Sequence, residues 1–373
     1  MNQLALPFEI RDYTLVEELG HGAFSTVYAA KKKADVEIYA IKVIDIALVE
    51  KEGDKEHLQR EIDVMAYLKH ENIVQLYDFF SDDVRFFLVL DYCPGGDLYA
   101  IITQSKHFRE TQIAMVFQQI VSAVGYCHSR GVAHRDLKPQ NVLVTTFPYI
   151  KISDFGLCGY INEDKRMKTF CGSPFFSAPE CLKQVQYDGK KSDIWSLGVI
   201  LFELATGEHP WNPTNTPLMI KQITTASYQV PKGLNPACED LIRSLLKVRP
   251  NERPSCEQIL QHPWLKLAPS NRNIEKSQLP PLQNKTINNV LKTIDRSNSS
   301  KTEHGIFSPF IGIPEENTED SAPKPRHPPA IVGRSRSGSA IKSPPGAGFL
   351  KQMGRTTRTP TFSHRPPNMP NPV

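Results

Sequence analysis

The sequence has no hydrophobic run long enough to cross a membrane. Its longest apolar stretches, such as FFLVL at residues 86–90, are far shorter than the ~20 residues that a spanning helix needs. Its first ten residues, MNQLALPFEI, have neither the basic start nor the apolar run of a signal peptide. The seven cysteines include no CxxC pair, so neither a zinc site nor a disulfide framework is predicted. We expect a protein without a membrane span in a reducing compartment, either cytoplasmic alone or also nuclear.

Proline and charge are unevenly distributed along the chain. Residues 270–373 hold 15 of the 30 prolines, together with Ser, Thr and Arg clusters. They carry 15 Lys+Arg and 7 Asp+Glu, a net charge of +8, which leaves 29 and 33, a net charge of −4, for residues 1–269. Such a composition buries too little apolar surface to offset the entropy of ordering, so we predict a Pro/Ser/Arg-rich, mostly disordered tail. Its basic residues lack interleaved aromatic ones, and we expect no nucleic-acid partner.

The first 269 residues divide into a β-rich part and a helix-rich part. Residues 13–93 contain four strand-like runs, TLVEEL, STVYAA, EIYAIKVI and FFLVLDY. Within this part, residues 55–69 repeat apolar side chains at helical spacing, which predicts an amphipathic helix. Residues 94–265 are mainly helical, with periodic segments at 109–130, 192–207 and 235–247. This order predicts an α+β fold in which a small β-rich lobe with one helix precedes a larger α-helical lobe.

A glycine-containing turn joins the first two strand-like runs. Gly20 and Gly22 allow the backbone to approach phosphate groups closely and to direct N–H groups at them. Taken alone, such a turn is more often an ordinary hairpin. A dinucleotide-binding fingerprint is excluded, because Ser25 stands at the third glycine position and the next element is a strand.

Two charged residues of the small lobe form a candidate pair. Lys42 lies among apolar residues in the run YAIKVI, and Glu61 lies on the predicted helix. A lysine in a strand usually extends its amine to solvent, and a helix glutamate is usually a solvated surface charge. A functional lysine needs an anionic partner, and Glu61 is the candidate.

The most specific pattern is AHRDLKPQNVLV at 133–144, followed by KISDFGL at 151–157. Asp136 can accept a proton from an attacking hydroxyl, and Lys138 can neutralise charge on a transferred group. Asn141 and Asp154 supply the hard oxygen ligands that Mg²⁺ prefers. These residue types in one polar loop favour phosphoryl transfer over an accidental cluster of charges.

These motifs occur in a family order. HRDLKPQN, DFG and SAPE, preceded by GxGxFS, AIK and the helix glutamate, resemble the eukaryotic protein kinases over residues 13–265. The resemblance implies the bilobal protein kinase fold, with lobes at 13–93 and 94–265 and the tail at 270–373. The DLKPxN spelling is similar to serine/threonine kinases, and GHGAFS, LDYCPGGDL and QHPW resemble the calcium/calmodulin-dependent and AMP-activated kinase group.

The resemblance also implies an activity. It is transfer of the γ-phosphoryl group of ATP, with Mg²⁺, to serine or threonine of protein substrates. The alternative is a catalytically silent pseudokinase that serves as a scaffold.

By the same resemblance, each site residue has an expected role. Asp136 is the catalytic base, assisted by Lys138 and Asn141, and Asn141 and Asp154 bind the metal. Lys42, paired with Glu61, binds the α- and β-phosphates. The remaining expected nucleotide-binding residues cover the phosphates, sandwich adenine, form the gatekeeper and hinge, or meet the ribose: Gly20, Gly22, Leu19, Val27, Ala40, Leu143, Leu90, Asp91, Cys93 and Asp97. Asp97 has a second possible role, contact with a substrate arginine.

Three further expectations concern support and regulation. Glu180 is expected to form a structural ion pair with Arg253, and Asp193 is expected to hold the backbone of the catalytic loop. Thr169 lies between Asp154 and Glu180, at the position of an activating phosphate. We expect an upstream kinase to phosphorylate it and Arg135 to pair with the phosphate, with His57 as a second candidate partner.

Overall fold

The computed structural model describes residues 4–22, 25–33, 37–52, 55–105, 108–155, 159–160, 173–183 and 187–268. The predicted tail at 270–373 lies outside the described residues. Its disorder therefore stays a prediction.

A six-stranded antiparallel sheet forms the amino-terminal part. Its strands are β1 (Phe8–Ile10), β2 (Tyr13–His21), β3 (Ser25–Lys32), β4 (Ile38–Asp45), β5 (Leu76–Ser81) and β6 (Arg85–Asp91). They lie in the order β1-β2-β3-β4-β6-β5. The four predicted runs correspond to β2, β3, β4 and β6. Strands β1 and β5 were not predicted, and β1 extends the sheet to before residue 13.

Alternate residues of these strands build one side of the sheet. Tyr13 and Leu15 of β2 share a buried cluster with Ile41 of β4 and Phe87 of β6. Residues two apart in a strand point to the same face of the sheet, because successive side chains alternate between faces. The Phe80 and Phe87 rings stack with centroids 5.1 Å apart, joining β5 to β6 through an aromatic contact. The apolar alternation in the sequence therefore produces the core of the small lobe.

Two helices follow β4. Helix α2 (Lys55–Tyr67) is the predicted amphipathic helix, and its apolar positions Ile62 and Met65 are buried as expected. Helix α1 (Ile46–Glu52) precedes it and was not predicted. The cause is length, because one short helix gives too few residues for a periodic pattern.

Helices dominate the carboxyl-terminal part. They are α3 (Leu98–Gln104), α4 (Glu110–Ser129), α5 (Pro179–Leu182), α6 (Gly189–Thr206), α7 (Thr216–Thr225), α8 (Pro236–Leu245) and α9 (Cys256–Leu260). Two short strand pairs accompany them: β7 (Val132–Ala133) with β10 (Gly159–Tyr160), and β8 (Val142–Val144) with β9 (Ile150–Ile152). The predicted helical segments correspond to α4, α6 and α8. Across the described ranges, no helix has the length and apolar content to cross a membrane.

Helix α6 is the buried centre of this part. Its residues from Ser192 to Leu204 are all buried, which explains why its sequence is apolar on most sides. Gly198 allows the end of α8 to approach closely, because a Cβ atom there would lie 2.8 Å from Leu246 Cδ2. Gly207 ends the helix with a left-handed φ of 72°, a conformation that favours glycine. Elements that pack on α6 therefore share one rigid support.

A buried ion pair joins α5 to the segment before α9, as predicted. Arg253 Nη1 and Nη2 donate to the two carboxylate oxygens of Glu180 at 2.6 and 2.8 Å. The Arg253 side chain is 0% exposed and also donates to the backbone oxygens of Lys191 and Lys247. This planar, two-pronged geometry suits a guanidinium and a carboxylate.

Arg253→Met is expected to lower the free energy of unfolding by about 3–5 kcal/mol, because it leaves the Glu180 carboxylate buried without its partner. Urea unfolding followed by tryptophan fluorescence measures the change. Arg249→Met is the matched control, since Arg249 is 83% exposed and its pair with Glu252 lies at the surface. That control is expected to change stability by less than about 0.5 kcal/mol. Equal losses in the two variants would contradict a structural role for the buried pair.

Candidate active site

The polar loop at 134–141 concentrates three predicted site residues around one carboxylate. Lys138 Nζ lies 2.6 Å from Asp136 Oδ2, and Asn141 Nδ2 donates to the same oxygen at 3.1 Å. The backbone N–H of Ser173 donates to Asp136 Oδ1 at 3.0 Å. All three predicted residues are buried in spite of their polarity. Their mutual contacts satisfy the groups that burial removes from water.

The backbone of this loop is held by Asp193 of α6, as predicted. Asp193 Oδ2 accepts the N–H of His134 at 2.9 Å, and Oδ1 accepts the N–H of Arg135 at 2.8 Å. His128 of α4 contacts Asp193 Oδ2 through Nε2 at 2.8 Å. Arg135 has a left-handed φ of 69°, a conformation that costs free energy for a residue with a side chain. These hydrogen bonds to a buried carboxylate maintain that turn next to Asp136.

Asn141 connects the loop to the segment that carries Asp154. The Asn141 carbonyl oxygen accepts the N–H of Ser153 at 2.9 Å, and Asp154 follows with a left-handed φ of 63°. Asn141 Nδ2 is bound to Asp136, which leaves Oδ1 as the ligand atom of this amide. One amide oxygen and one carboxylate fit Mg²⁺, which keeps several waters and uses few protein ligands. The residues present therefore suit the predicted metal.

Lys42 of β4 forms an ion pair with Glu61 of α2. The distance between Lys42 Nζ and Glu61 Oε1 is 2.6 Å, and the side chains are 20% and 10% exposed. Burial alone lowers the pKa of Lys42, but the carboxylates of Glu61 and Asp154 more than offset burial and raise that pKa. Lys42 therefore remains a cation at neutral pH. The alternatives of a lysine amine extended into solvent and a solvated surface glutamate are therefore wrong.

A half-buried apolar surface lies along the strands that flank this pair. Gly20 pairs with Val27 across the antiparallel strands β2 and β3, and Gly22 N donates to Ser25 O at 2.6 Å. Leu19, Val27, Leu90 and Leu143 are partly buried, while Ala40 is 8% exposed. Ala40 pairs with Leu90, and Val27 pairs with Lys42. The strands thus bring three of the four predicted adenine-sandwiching residues and the predicted gatekeeper close to the glycines, whereas the fourth, Leu143, lies on β8.

The predicted hinge follows Leu90, at the end of β6. The Asp91 side chain is bound to Tyr77 and Lys151, two residues that sequence reasoning did not identify. Burial raises the pKa of the nearby Cys93 thiol to about 12, so this cysteine is an unreactive thiol at neutral pH. Because the Asp91 side chain is already bound to Tyr77 and Lys151, any contribution of Asp91 to a nucleotide site comes from its backbone.

Asp97 has a local structural role. Its Oδ1 accepts the N–H of Ala100 at 2.7 Å, which makes Asp97 the N-cap of α3. The residue is 4% exposed, and burial raises its pKa. The predicted contact with ribose or a substrate arginine stays a prediction, with the second oxygen as the atom that can make it.

The predicted regulatory threonine, Thr169, lies outside the described residues, as does the side chain of His57. Arg135, its predicted partner, is described, and Arg135 Nε donates to the Tyr187 hydroxyl at 3.3 Å. The expected pairing with a phosphate therefore stays a prediction.

Comparison with known families gives a match over most of this chain. The family model described as "Protein kinase domain" matches residues 13–265. Among curated proteins, CBL-interacting protein kinase 30 of Oryza sativa subsp. japonica is 39% identical over 259 residues, which are 69% of this chain and 54% of that protein. CBL-interacting serine/threonine-protein kinase 14 of Arabidopsis thaliana is 40% identical over 257 residues, which are 68% of this chain and 58% of that protein.

A shorter relative is matched almost throughout. Aurora kinase C of Mus musculus is 36% identical over 259 residues, which are 69% of this chain and 93% of that protein. The aligned part of the chain thus spans little more than half of the two plant kinases. The matched family and these relatives agree with the geometry of the site, and the chain belongs to the eukaryotic serine/threonine protein kinases.

Proposed function

We propose that this chain transfers the γ-phosphoryl group of MgATP to serine or threonine hydroxyls of protein substrates. The observation that carries the proposal is the cluster of Asp136, Lys138 and Asn141, joined through Ser153 to Asp154. This cluster combines a proton acceptor, a cation and hard oxygen ligands, which are the components that phosphoryl transfer requires.

Asp136 is the proposed catalytic base. Its carboxylate holds three donors, two on Oδ2 and one on Oδ1. A carboxylate has about four acceptor sites, so the carboxylate retains capacity to accept the proton of a substrate hydroxyl. Lys138, 2.6 Å from this carboxylate, is positioned to stabilise negative charge on the group being transferred. The same loop therefore supplies both the base for the substrate hydroxyl and the cation for the transferred phosphoryl group.

Lys42 and Asp154 are the proposed phosphate and metal residues. The pair with Glu61 fixes the Lys42 amine, so its cation is oriented before nucleotide binds. Asn141 and Asp154 would hold Mg²⁺, which neutralises phosphate charge when bound. The apolar residues on both sides of Ala40 would contact the adenine ring, and the hinge backbone would bind its edge.

The same observations weigh against a pseudokinase. The chain has every residue expected of an active kinase site: Lys42, Glu61, Asp136, Asn141 and Asp154. Lys42 is bound to Glu61, and Asp136 is bound to Lys138 and Asn141, which are contacts compatible with turnover. The relatives named above carry names of protein kinases.

We propose serine and threonine residues of proteins as acceptors. We also propose a cytoplasmic location, alone or together with the nucleus.

We further propose that an upstream kinase activates the chain at Thr169. Arg135 directly precedes the catalytic base, and its backbone N–H is fixed by Asp193. A phosphate of about −1.5 to −2 charge on Thr169 would attract this guanidinium and so couple the loop between Asp154 and Glu180 to Asp136. Tyr187, one of the groups that Arg135 contacts, is neutral, and a phosphate forms stronger, charge-assisted hydrogen bonds with a guanidinium.

Asp154→Asn is expected to reduce kcat by at least about 100-fold, because Mg²⁺ loses a charged ligand while the side-chain volume is kept. Phosphate transfer from radiolabelled ATP to a basic protein substrate at saturating Mg²⁺ measures the effect. Asp240→Asn is the matched control, because Asp240 is 79% exposed and its partner is His262, a surface pair away from the site. Near wild-type turnover of the Asp154 variant, or a wild type that stays inactive after treatment with an activating kinase, would contradict the proposed reaction.

Thr169→Ala is expected to be about 10-fold less active than wild type after both are treated with an activating kinase, since the variant gains no charge-assisted bonds to Arg135. Thr169→Ser keeps a hydroxyl and is expected to retain activation. Mass spectrometry must show stoichiometric phosphate on wild-type Thr169. Equal activity of the alanine variant and the phosphorylated wild type would show that Thr169 is not the switch.

A further inference from the structure

The Asp91 carboxylate at the start of the hinge is bound by three donors. Tyr77 OH donates to Oδ1 at 2.7 Å. The backbone N–H of Gln75 donates to Oδ2 at 2.8 Å, and Lys151 Nζ lies 2.9 Å from the same oxygen. Because both oxygens are occupied, the side chain is fixed in one orientation.

The three donors come from both lobes. Gln75 directly precedes β5 and Tyr77 is its second residue, whereas Lys151 is the middle residue of β9 in the larger lobe. The segment before β5 is itself bonded to β9, with Val74 N donating to Ile152 O at 2.9 Å. Asp91 therefore sits where β5, β9 and the hinge meet.

The surroundings make these bonds stronger than typical surface contacts. The side chains of Lys151 and Asp91 are 22% and 13% exposed, so water screens their attraction only in part. Burial and the negative charge of Asp91 raise the pKa of Tyr77, which keeps its hydroxyl protonated as a donor. Tyr77 also meets Tyr39 of β4 edge to face, with ring centroids 5.5 Å apart.

Fixing the Asp91 side chain also fixes its backbone. Asp91 N donates to Gln75 O at 3.2 Å, and Asp91 pairs with Tyr39 across β4 and β6. The next residues, Tyr92 and Cys93, continue from this anchored position into the hinge. Groups that orient a binding backbone before the ligand arrives raise affinity by reducing the ordering that binding requires.

We propose that Lys151 and Tyr77 are positioning residues, which act through Asp91 to hold the hinge backbone in the geometry that binds the adenine ring. This inference rests on the proposed function, because it assigns the hinge to the nucleotide of that reaction. Lys151 and Tyr77 do not contact the reacting groups in this arrangement. Their effect is on nucleotide affinity and not on the chemical step.

Lys151→Met is expected to raise the KM for ATP about 5- to 10-fold, the range for losing one charge-assisted bond in a half-buried site. The Kd of adenosine, measured by calorimetry, is expected to rise by the same factor, because adenosine has the base but none of the phosphates. The values of kcat and of KM for the protein substrate are expected to stay within about twofold, since Lys42, Asp136 and Asp154 are untouched.

Matched variants separate positioning from general stability. Tyr77→Phe removes only the hydroxyl and is expected to raise both values about 2- to 3-fold. Lys151→Arg keeps the charge and is expected to restore them to within about threefold of wild type. Lys33→Met removes the exposed pair with Glu9 of β1, the edge strand farthest from β5, and is expected to change neither value. Thermal unfolding of each variant confirms that it is folded.

The outcomes distinguish this inference from the proposed function. If wild type transfers phosphate but Lys151→Met and Tyr77→Phe leave the KM for ATP and the Kd of adenosine unchanged, the positioning role is wrong and the kinase function stands. A fall in kcat with unchanged adenosine affinity also overturns it, because that result places the effect on the chemical step. If wild type treated with an activating kinase transfers no phosphate, the proposed function itself fails, and adenosine binding alone then tests the hinge.

Discussion

The Asp193 carboxylate, buried in α6, is the interaction on which the candidate active site depends. A charge at 1% exposure is costly unless hydrogen bonds replace its lost water, and His128, His134 and Arg135 supply those bonds. Two of the donors are backbone N–H groups of the residues just before Asp136. The position of the proposed base is therefore set by the packing of a helix that does not itself enter the site. Changes that shift α6 would move Asp136 with it.

In the small lobe, Lys42 and Glu61 are held in place differently from the loop around Asp136. Lys42 is on a central strand and its partner Glu61 is on α2, so their ion pair joins the two elements at this point. A strand in a six-stranded sheet is well constrained, whereas a helix at the edge of a lobe can move relative to it. The proposed catalytic loop is thus held by two backbone hydrogen bonds to the buried α6, whereas the proposed phosphate-binding lysine is paired with a helix that can move. This contrast makes the Lys42–Glu61 contact a natural point of control.

The clustering of the candidate catalytic residues could be predicted because short-range sequence patterns specify it. Asp136, Lys138 and Asn141 lie within one loop, so their order in the chain already implies their proximity. Helices α4 and α6 are long enough for a periodic pattern to identify them. Strand β5 was missed because LYDFFS is brief and interrupts its apolar residues with Asp78, and register shifts within it weaken the alternation. The Asp91 contacts join residues 14 and 60 positions away, and single-sequence patterns do not report such pairs.

Strand β1 bears on how the domain can be isolated. It pairs with β2 along Phe8–Ile10 and lies before residue 13, where the family match begins. Phe8 and Ile10 also pack against the buried cluster of the sheet, and Arg85 lies over the Phe8 ring with its guanidinium carbon 5.9 Å from the ring centroid. A fragment cut at the family boundary would leave the outer edge of the nine-residue β2 without its neighbour and uncover apolar surface beside it. Unpaired strand edges recruit other strands, so such a fragment would tend to self-associate although its catalytic residues were intact.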